Sequence, residues 1–260
     1  MKSLRASISK RLARLQSFPA LVRRRGATFL LDPQDWIDNR LIADVPFENA
    51  QVARCHELIA GHRLDTFLDI GANFGLYTVL IGTHPSIKRV HAFEPVRRNF
   101  AQLMGNVFVN RISDSVTAHR VGLGSAAVQT TIHIDPRSHG LSRLDLTDAE
   151  RDTSVFSHSE TIEIVRLDDI LDLRGQRCLV KIDVEGFASN VIDGMAGFLA
   201  QNTVVLQIEI LAGESDPVTR KLSELGYESI GAIDRDCYFA SQARKRSDVE
   251  PQRDVAAGRA

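Results

Sequence analysis

The sequence predicts an α/β protein: a seven-stranded, mostly parallel sheet with helices on both faces and an antiparallel insertion between strands 3 and 4. Three observations lead there. From residue 64 onward, short apolar runs alternate with amphipathic stretches, as strands alternate with helices in a parallel sheet covered on both sides. Glycine or proline punctuates the strand ends, with Gly71 after the first run and Pro95 after the second. Residues 123–177 break the alternation with two runs of period-two patterning, Thr131-Ile-His-Ile and Thr161-Ile-Glu-Ile.

Taken in order, Thr66–Ile70 is the first strand and Leu76–Gly82 the helix after it. Arg89–Phe93 is the second strand, followed by a helix over Arg97–Val109, and Val116–Gly122 is the third strand. Val128–Ile134 and Thr161–Leu167 are the strands of the insertion, with a polar and mobile middle, Asp135–Ser159, over the mouth of the site. Cys178–Asp183 is the fourth strand, Glu185–Met195 a helix, and Thr203–Ile210 a fifth strand rich in β-branched residues. A helix over Asp216–Leu225 and two closing strands, Tyr227–Ile233 and Asp236–Ala240, complete the domain.

The organisation around this domain is a basic arm at 1–26, a cap at 27–63, the main domain at 64–241 with its insertion at 123–177, and a frayed tail at 242–260. The cap reads as a short strand and then a helix over Ala50–Gly61. The chain has 260 residues, which suits one α/β domain with additions and suffices to bury a core without disulfides. Its net charge of -1 sets up no global field toward nucleic acid or membrane.

Cys55, Cys178 and Cys237 are scattered and form no CxxC pair, which excludes a disulfide framework and a structural zinc site and fits a cytoplasmic protein. No apolar run reaches the roughly 18 residues of a membrane helix. The arm lacks a signal-peptide hydrophobic region, because Arg11 and Arg14 interrupt it. Leu4, Ile8, Leu12 and Leu15 fall at helical spacing among basic residues, so the arm is either a weak membrane-surface contact or a solvated helix.

Asp69-Ile-Gly71-Ala-Asn73-Phe-Gly75 follows the first strand. A dinucleotide-binding fingerprint needs G-x-G-x-x-G, and residue 73 is Asn where that pattern has its second glycine. A P-loop needs Gly-Lys-Ser/Thr, which is absent. S-adenosylmethionine (SAM) fits better. Gly71 lets the backbone turn sharply beside a ligand, Gly75 permits close approach at the helix start, and Asp69 can attract the ammonium group. Glu94 ends the second strand, where a carboxylate accepts both ribose hydroxyls in a bidentate way. A purely structural reading makes Glu94 a partner of the next helix N-terminus, and both can hold.

Val180-Lys181-Ile182-Asp183-Val184-Glu185-Gly186 is the second informative stretch. Alternation puts Lys181, Asp183 and Glu185 on one side of the strand and the three apolar residues on the other. Three charged groups at the end of a buried strand are costly unless paired or functional. They form either a self-contained ion cluster or the acceptor side of a site.

These pieces together resemble the FkbM family of SAM-dependent methyltransferases. The matching segments are Asp69–Gly75, Phe93-Glu-Pro95, Val165-Arg-Leu-Asp-Asp-Ile170, Lys181–Gly186 and Gln207-Ile-Glu-Ile210, in the family's order and spanning roughly residues 47–233. The resemblance implies a Rossmann-like sheet, SAM as methyl donor and transfer to a hydroxyl on a sugar, glycan or polyketide-type small molecule. The expected cofactor-binding set is Asp69, Gly71, Asn73, Gly75, Glu94, Gly122 and Asp183.

A hydroxyl acceptor needs its proton removed, and the methyl must be approached in line. Asp183 is the first candidate base and Glu209 the second. Lys181 can keep a carboxylate ionised or bind an anionic substrate. His139, beside Gly140 in the insertion, can act as a base or substrate contact, or be an exposed loop histidine. Asp183, Glu185 and Glu209 are oxygen donors of the kind Mg²⁺ takes, but pairing with Lys181 is the preferred reading and no metal site is assigned. Three alternatives remain: a nicotinamide-dependent oxidoreductase, a non-catalytic SAM-binding module, and a nucleic-acid methyltransferase. The last is disfavoured because the core lacks a basic stripe with interleaved aromatics. Acceptor identity and oligomeric state are not legible.

Overall fold

The computed structural model describes residues 19–135, 158–211 and 213–241, the backbone of 142–143, and the isolated positions Ser7, Lys10, Arg11 and Leu15. The helical arm, His139 and the tail expected from the sequence fall wholly or largely outside the described residues.

The central sheet has seven strands. They are β3 (Thr66–Ile70), β4 (Arg89–Phe93), β5 (Val116–His119), β10 (Arg177–Ile182), β11 (Thr203–Glu209), β12 (Tyr227–Ile233) and β13 (Asp236–Ser241), in spatial order β12-β13-β11-β10-β3-β4-β5. The pairs from β11 through β5 are parallel, and β13 runs antiparallel to both neighbours. The predicted α/β class, strand count and mostly parallel sheet are what the chain adopts.

Side-chain alternation divides the core into two layers. Leu68, Ile70, Val180, Ile182, Leu206 and Ile208 face one side, where α6 (Ala188–Gly194), α7 (Ala196–Gln201) and α8 (Ser215–Glu224) cover them. Phe67, Leu179 and Val205 face the other side, against α2 (Asn49–His62) and α3 (Leu76–Gly82). On that side a hairpin, β1 (Ala20–Arg24) and β2 (Ala27–Leu31), and α1 (Trp36–Ile42) extend the layer, and α4 (Arg97–Val109) packs on β2. The hairpin turns on Arg25 (φ 51) and Gly26 (φ 83), the paired left-handed geometry of a two-residue turn that matches strand twist. Sequence reading placed residues 20–24 in a basic arm and missed β1.

The insertion is a four-stranded sheet of order β6-β9-β7-β8: β6 (Gly122–Leu123), β7 (Val128–Ile134), β8 (Ser142–Arg143) and β9 (His158–Val165). β7 and β9 pair antiparallel, as expected. The short helix α5 (Leu167–Ile170) follows it. Ile132, Ile134, Ile162 and Ile164 pack against Val96 and Phe187, so the small sheet braces the loops that follow Glu94 and Glu185.

Of the boundaries that differ from expectation, two have a clear physical reason. The third strand stops at His119, and Gly122 starts β6 because the chain leaves the sheet edge to pair with Ile164 of the insertion. The helix expected from Glu185 begins at Ala188, because Glu185 (φ 45) and Gly186 (φ 92) are left-handed and cannot be helical. Among the described residues no helix is long and apolar enough to cross a membrane.

Candidate active site

β3 connects onward to β4 on one side, while β10 connects to β11 on the other, so their adjacent carboxyl ends mark the reversal of strand order. Ligands of parallel sheets sit in this crevice. The loop after β3 enters it with Gly71 (φ 81), Asn73 (φ 52) and Gly75 (φ 90) all left-handed. Two of these glycines are required twice over. A Cβ on Gly71 would lie 1.9 Å from the carbonyl oxygen of Asp183, and one on Gly75 would lie 2.5 Å from Cδ1 of Leu103. The first lets the β3 loop press against the end of β10. The second lets α3 start against α4.

Glu94 is 5% exposed. Its Oε2 accepts from the Asn73 N–H at 2.8 Å and its Oε1 from the Val96 N–H at 2.8 Å. The structural reading is met, since the carboxylate ties down the start of α4 and also the β3 loop. Oε1 also accepts from Asn99 Nδ2 at 3.5 Å, while Oε2 keeps a lone pair for another donor. Burial pushes the carboxyl up to about 7, against the opposing pull of the two backbone N–H groups.

Asp69 is 1% exposed. Its Oδ2 accepts from the Thr78 hydroxyl at 2.6 Å, while its buried Oδ1 has no hydrogen-bond partner among the described residues. Burial raises this carboxyl, and Lys181 and Thr78 partly offset the rise. A buried, orphaned carboxylate oxygen fits a cationic ligand such as the SAM ammonium group.

On β10 the Lys181 ammonium donates to Asp183 Oδ2 at 2.7 Å. The lysine side chain is 5% exposed and the aspartate 31%. Burial by itself lowers the lysine, but Asp183, Glu48 and Asp69 outweigh it, and the ammonium stays protonated. Burial likewise works to raise Asp183. Lys181, Glu209 and Arg235 outweigh it and hold the carboxyl below the usual range. Glu209 behaves oppositely: burial first, and then the Asp183 charge, push it up to about 8. The two neighbouring acids thus shift in opposite directions, Glu209 up and Asp183 down, as like charges sharing a site do. Arg235 reaches Glu209 Oε1 at 2.9 Å from the β12–β13 turn.

Asp183, Glu185 and Glu209 bring ligand atoms within 4.8 Å of one another. Lys181 on Asp183 and Arg235 on Glu209 already supply positive charge there. Gly122 lies in β6, outside the central sheet.

Sequence reading missed Tyr77, Gln207, Arg235 and Asp236 as parts of this site. Gln207 is fully buried. Its Nε2 donates to Tyr77 Oη at 3.2 Å and to Asp236 Oδ1 at 2.7 Å. The period-two count that grouped Lys181 with Asp183 also groups Gln207 with Glu209, so this one was findable. Arg235 and Asp236 were not, because a hairpin turn carries no signal of which strand end it reaches.

Residues 69–229 match a family model, the methyltransferase FkbM domain. The chain is 26% identical over 161 residues to Methyltransferase 1 of Beauveria bassiana, covering 55% of this chain and 64% of that protein. It is 28% identical over 161 residues to the hexuronic acid methyltransferase AglP of Haloferax volcanii, covering 62% of each. It thus spans 64% and 62% of these relatives' lengths. The METTL16 MTase domain superposes with a TM-score of 0.50 at 13% identity, covering 93% of this chain and 80% of that one, a likeness of fold. With the family model covering more than half of its length, the chain belongs to the FkbM methyltransferase family.

Proposed function

We propose that this protein is a SAM-dependent O-methyltransferase acting on a hydroxyl of a sugar, glycan or polyketide-type small molecule. The observation that carries the reading is the contact between the two halves of the site. Gly71 of the cofactor loop packs directly on the backbone of Asp183, so a ligand cradled by the loop lies beside the candidate base. The name of the Haloferax relative favours a sugar among these acceptors.

Asp69 Oδ1 would take the SAM ammonium, Glu94 the ribose hydroxyls, and Gly71, Asn73 and Gly75 the close approach of the loop. When bound, SAM supplies an electrophilic methyl whose C–S bond breaks as the acceptor oxygen bonds to carbon, leaving a neutral thioether. Asp183 removes the hydroxyl proton. Its low pKa keeps it ionised at neutral pH, and its partial exposure lets an acceptor reach it. Glu209 is the alternative base. It holds a proton up to about 8, so we assign it to supporting Asp183 instead.

Lys181 and Arg235 neutralise the carboxylates that a metal would need, which supports proton handling there over Mg²⁺ binding. The free thiols of Cys55, Cys178 and Cys237 support a reducing, cytoplasmic setting. The division into arm, cap, methyltransferase domain and tail belongs to the same proposal, with the β1–β2 hairpin joining residues on both sides of the arm boundary.

Calorimetric titration with SAM and with NADH separates this reading from an oxidoreductase. Saturable binding of SAM and none of NADH is expected. The reverse result would discard the proposal.

A further inference from the structure

Asp69, Lys181, Gln207 and Tyr238 lie abreast on β3, β10, β11 and β13, each in register with the next. They share the face occupied by Phe67, Leu179 and Val205, so a polar row crosses an apolar layer. A buried amide is tolerated only when its hydrogen bonds are made. Gln207 makes three, to three different elements. Its Oε1 accepts from Cys55 Sγ of α2 at 2.9 Å, and its Nε2 donates to Tyr77 Oη of α3 and to Asp236 Oδ1 of β13.

That arrangement fixes the Tyr77 ring. Its phenol oxygen is held by Gln207, and its face lies 4.6 Å from the Lys181 ammonium, measured to the ring centroid. Lysine has a long, flexible stem, and one rotamer must be selected for its ammonium to meet Asp183 at 2.7 Å. A ring face beneath the ammonium and an anchored ring oxygen select it. The Lys181 ammonium is also faced by Asp69 from β3 and by Glu48 from the turn before α2, two acids that would compete for it if it swung away from Asp183.

We infer that Tyr77 is a positioning residue for the proposed methyl transfer: locked by Gln207, its ring aims Lys181 at Asp183. Neither Tyr77 nor Gln207 is assigned contact with cofactor or acceptor. The inference rests on the reading of Asp183 as base, but its first test does not.

The first measurement is carbamoylation of Lys181 by cyanate in the full-length protein, followed by peptide mass analysis, with exposed Lys88 as internal reference. Tyr77→Leu should react at Lys181 about 5-fold faster than wild type, and Tyr77→Phe, which keeps the ring face but loses the oxygen held by Gln207, at a rate between the two. The second measurement is the pH profile of kcat with an accepted hydroxyl substrate. Tyr77→Leu should lower kcat by about 10-fold and move the acidic limb upward, with SAM affinity unchanged and with partial recovery in Tyr77→Phe. Unchanged Lys181 reactivity in a folded Tyr77→Leu protein overturns the inference. So does a Phe variant as reactive as the Leu variant, or an unmoved acidic limb. A wild-type protein that transfers no methyl group defeats the functional proposal, and the cyanate result still decides the positioning claim.

Discussion

The α-carbon of Gly71 lies so close to Asp183 that a methyl group there would overlap the aspartate carbonyl oxygen at 1.9 Å. Two loops that a parallel sheet would otherwise leave independent are thereby joined: the proposed cofactor loop and the one that bears the proposed base. Gly71→Ala must push them apart, and its left-handed φ of 81° adds strain. We expect this variant to lose SAM affinity by about 10-fold or more, with a stability loss of about 1–3 kcal/mol. Calorimetry and urea unfolding check the two effects. A variant with native SAM affinity would show that the contact is incidental.

Glu94 gives the cofactor side a pH dependence. Its carboxyl is pushed up to about 7, and in the proposed ribose role the ionised form is the one that would accept two hydroxyls. SAM affinity should therefore climb as pH rises through about 7 and level off above it. Glu94→Gln should bind SAM about 10- to 100-fold more weakly, with a flat profile across this range. An unchanged affinity in that variant would leave Glu94 as a helix-start residue alone.

The acceptor side should titrate in the opposite sense. In the proposed mechanism the Glu209 carboxyl, pushed up to about 8 by burial and the Asp183 charge, donates to ionised Asp183 until it loses its proton. The kcat profile should rise at low pH as Asp183 ionises, then fall near 8 as two adjacent charges appear. Glu209→Gln carries a permanent N–H donor in place of the O–H and should abolish the upper inflection. Persistence of that inflection in the variant would assign it to another group.

Much of this was legible from residue pattern. The boundaries of β3, β4, α3, α4, β7 and β12 match the period and punctuation of the sequence. Lys181 and Asp183 were legible as a pair, since strand alternation puts them on one face. The β1 strand was not, because Arg23, Arg24 and Arg25 read as part of a basic arm and only pairing with β2 makes residues 20–24 a strand. Tyr77 was hidden for a related reason. In sequence it is one apolar residue among several in α3, and its role depends on a ring-to-ammonium contact across two elements.

The cap carries an independent stability test. Asp38 is buried in the first turn of α1, with Oδ2 accepting from the Asp32 N–H at 2.7 Å and from Gln102 Nε2 at 2.6 Å, while Oδ1 has no partner. Burial, with help from Asp35, pushes its carboxyl from 3.8 up to about 8. Between those values the folded state holds a proton that the unfolded chain has released. Folding stability contributed by this group therefore falls as pH rises through the window, by up to about 1.4 kcal/mol per pH unit. Asp38→Asn can keep the acceptor at Oδ2 and removes the charge. It should unfold at higher urea than wild type at pH 8 and lose that advantage near pH 4. Equal stability at both pH values would contradict the protonated state of Asp38.

The central claim is that Asp183 removes a hydroxyl proton as a methyl group leaves SAM. It is tested most directly by following tritiated methyl from SAM onto a panel of sugars, uronic acids and polyketide alcohols, with wild type and Asp183→Asn side by side. Wild type should label the oxygen of at least one acceptor. The variant should retain SAM binding and label it roughly 10²- to 10⁴-fold more slowly. Equal rates in the two proteins, or a wild type that binds SAM and labels nothing, would contradict the account.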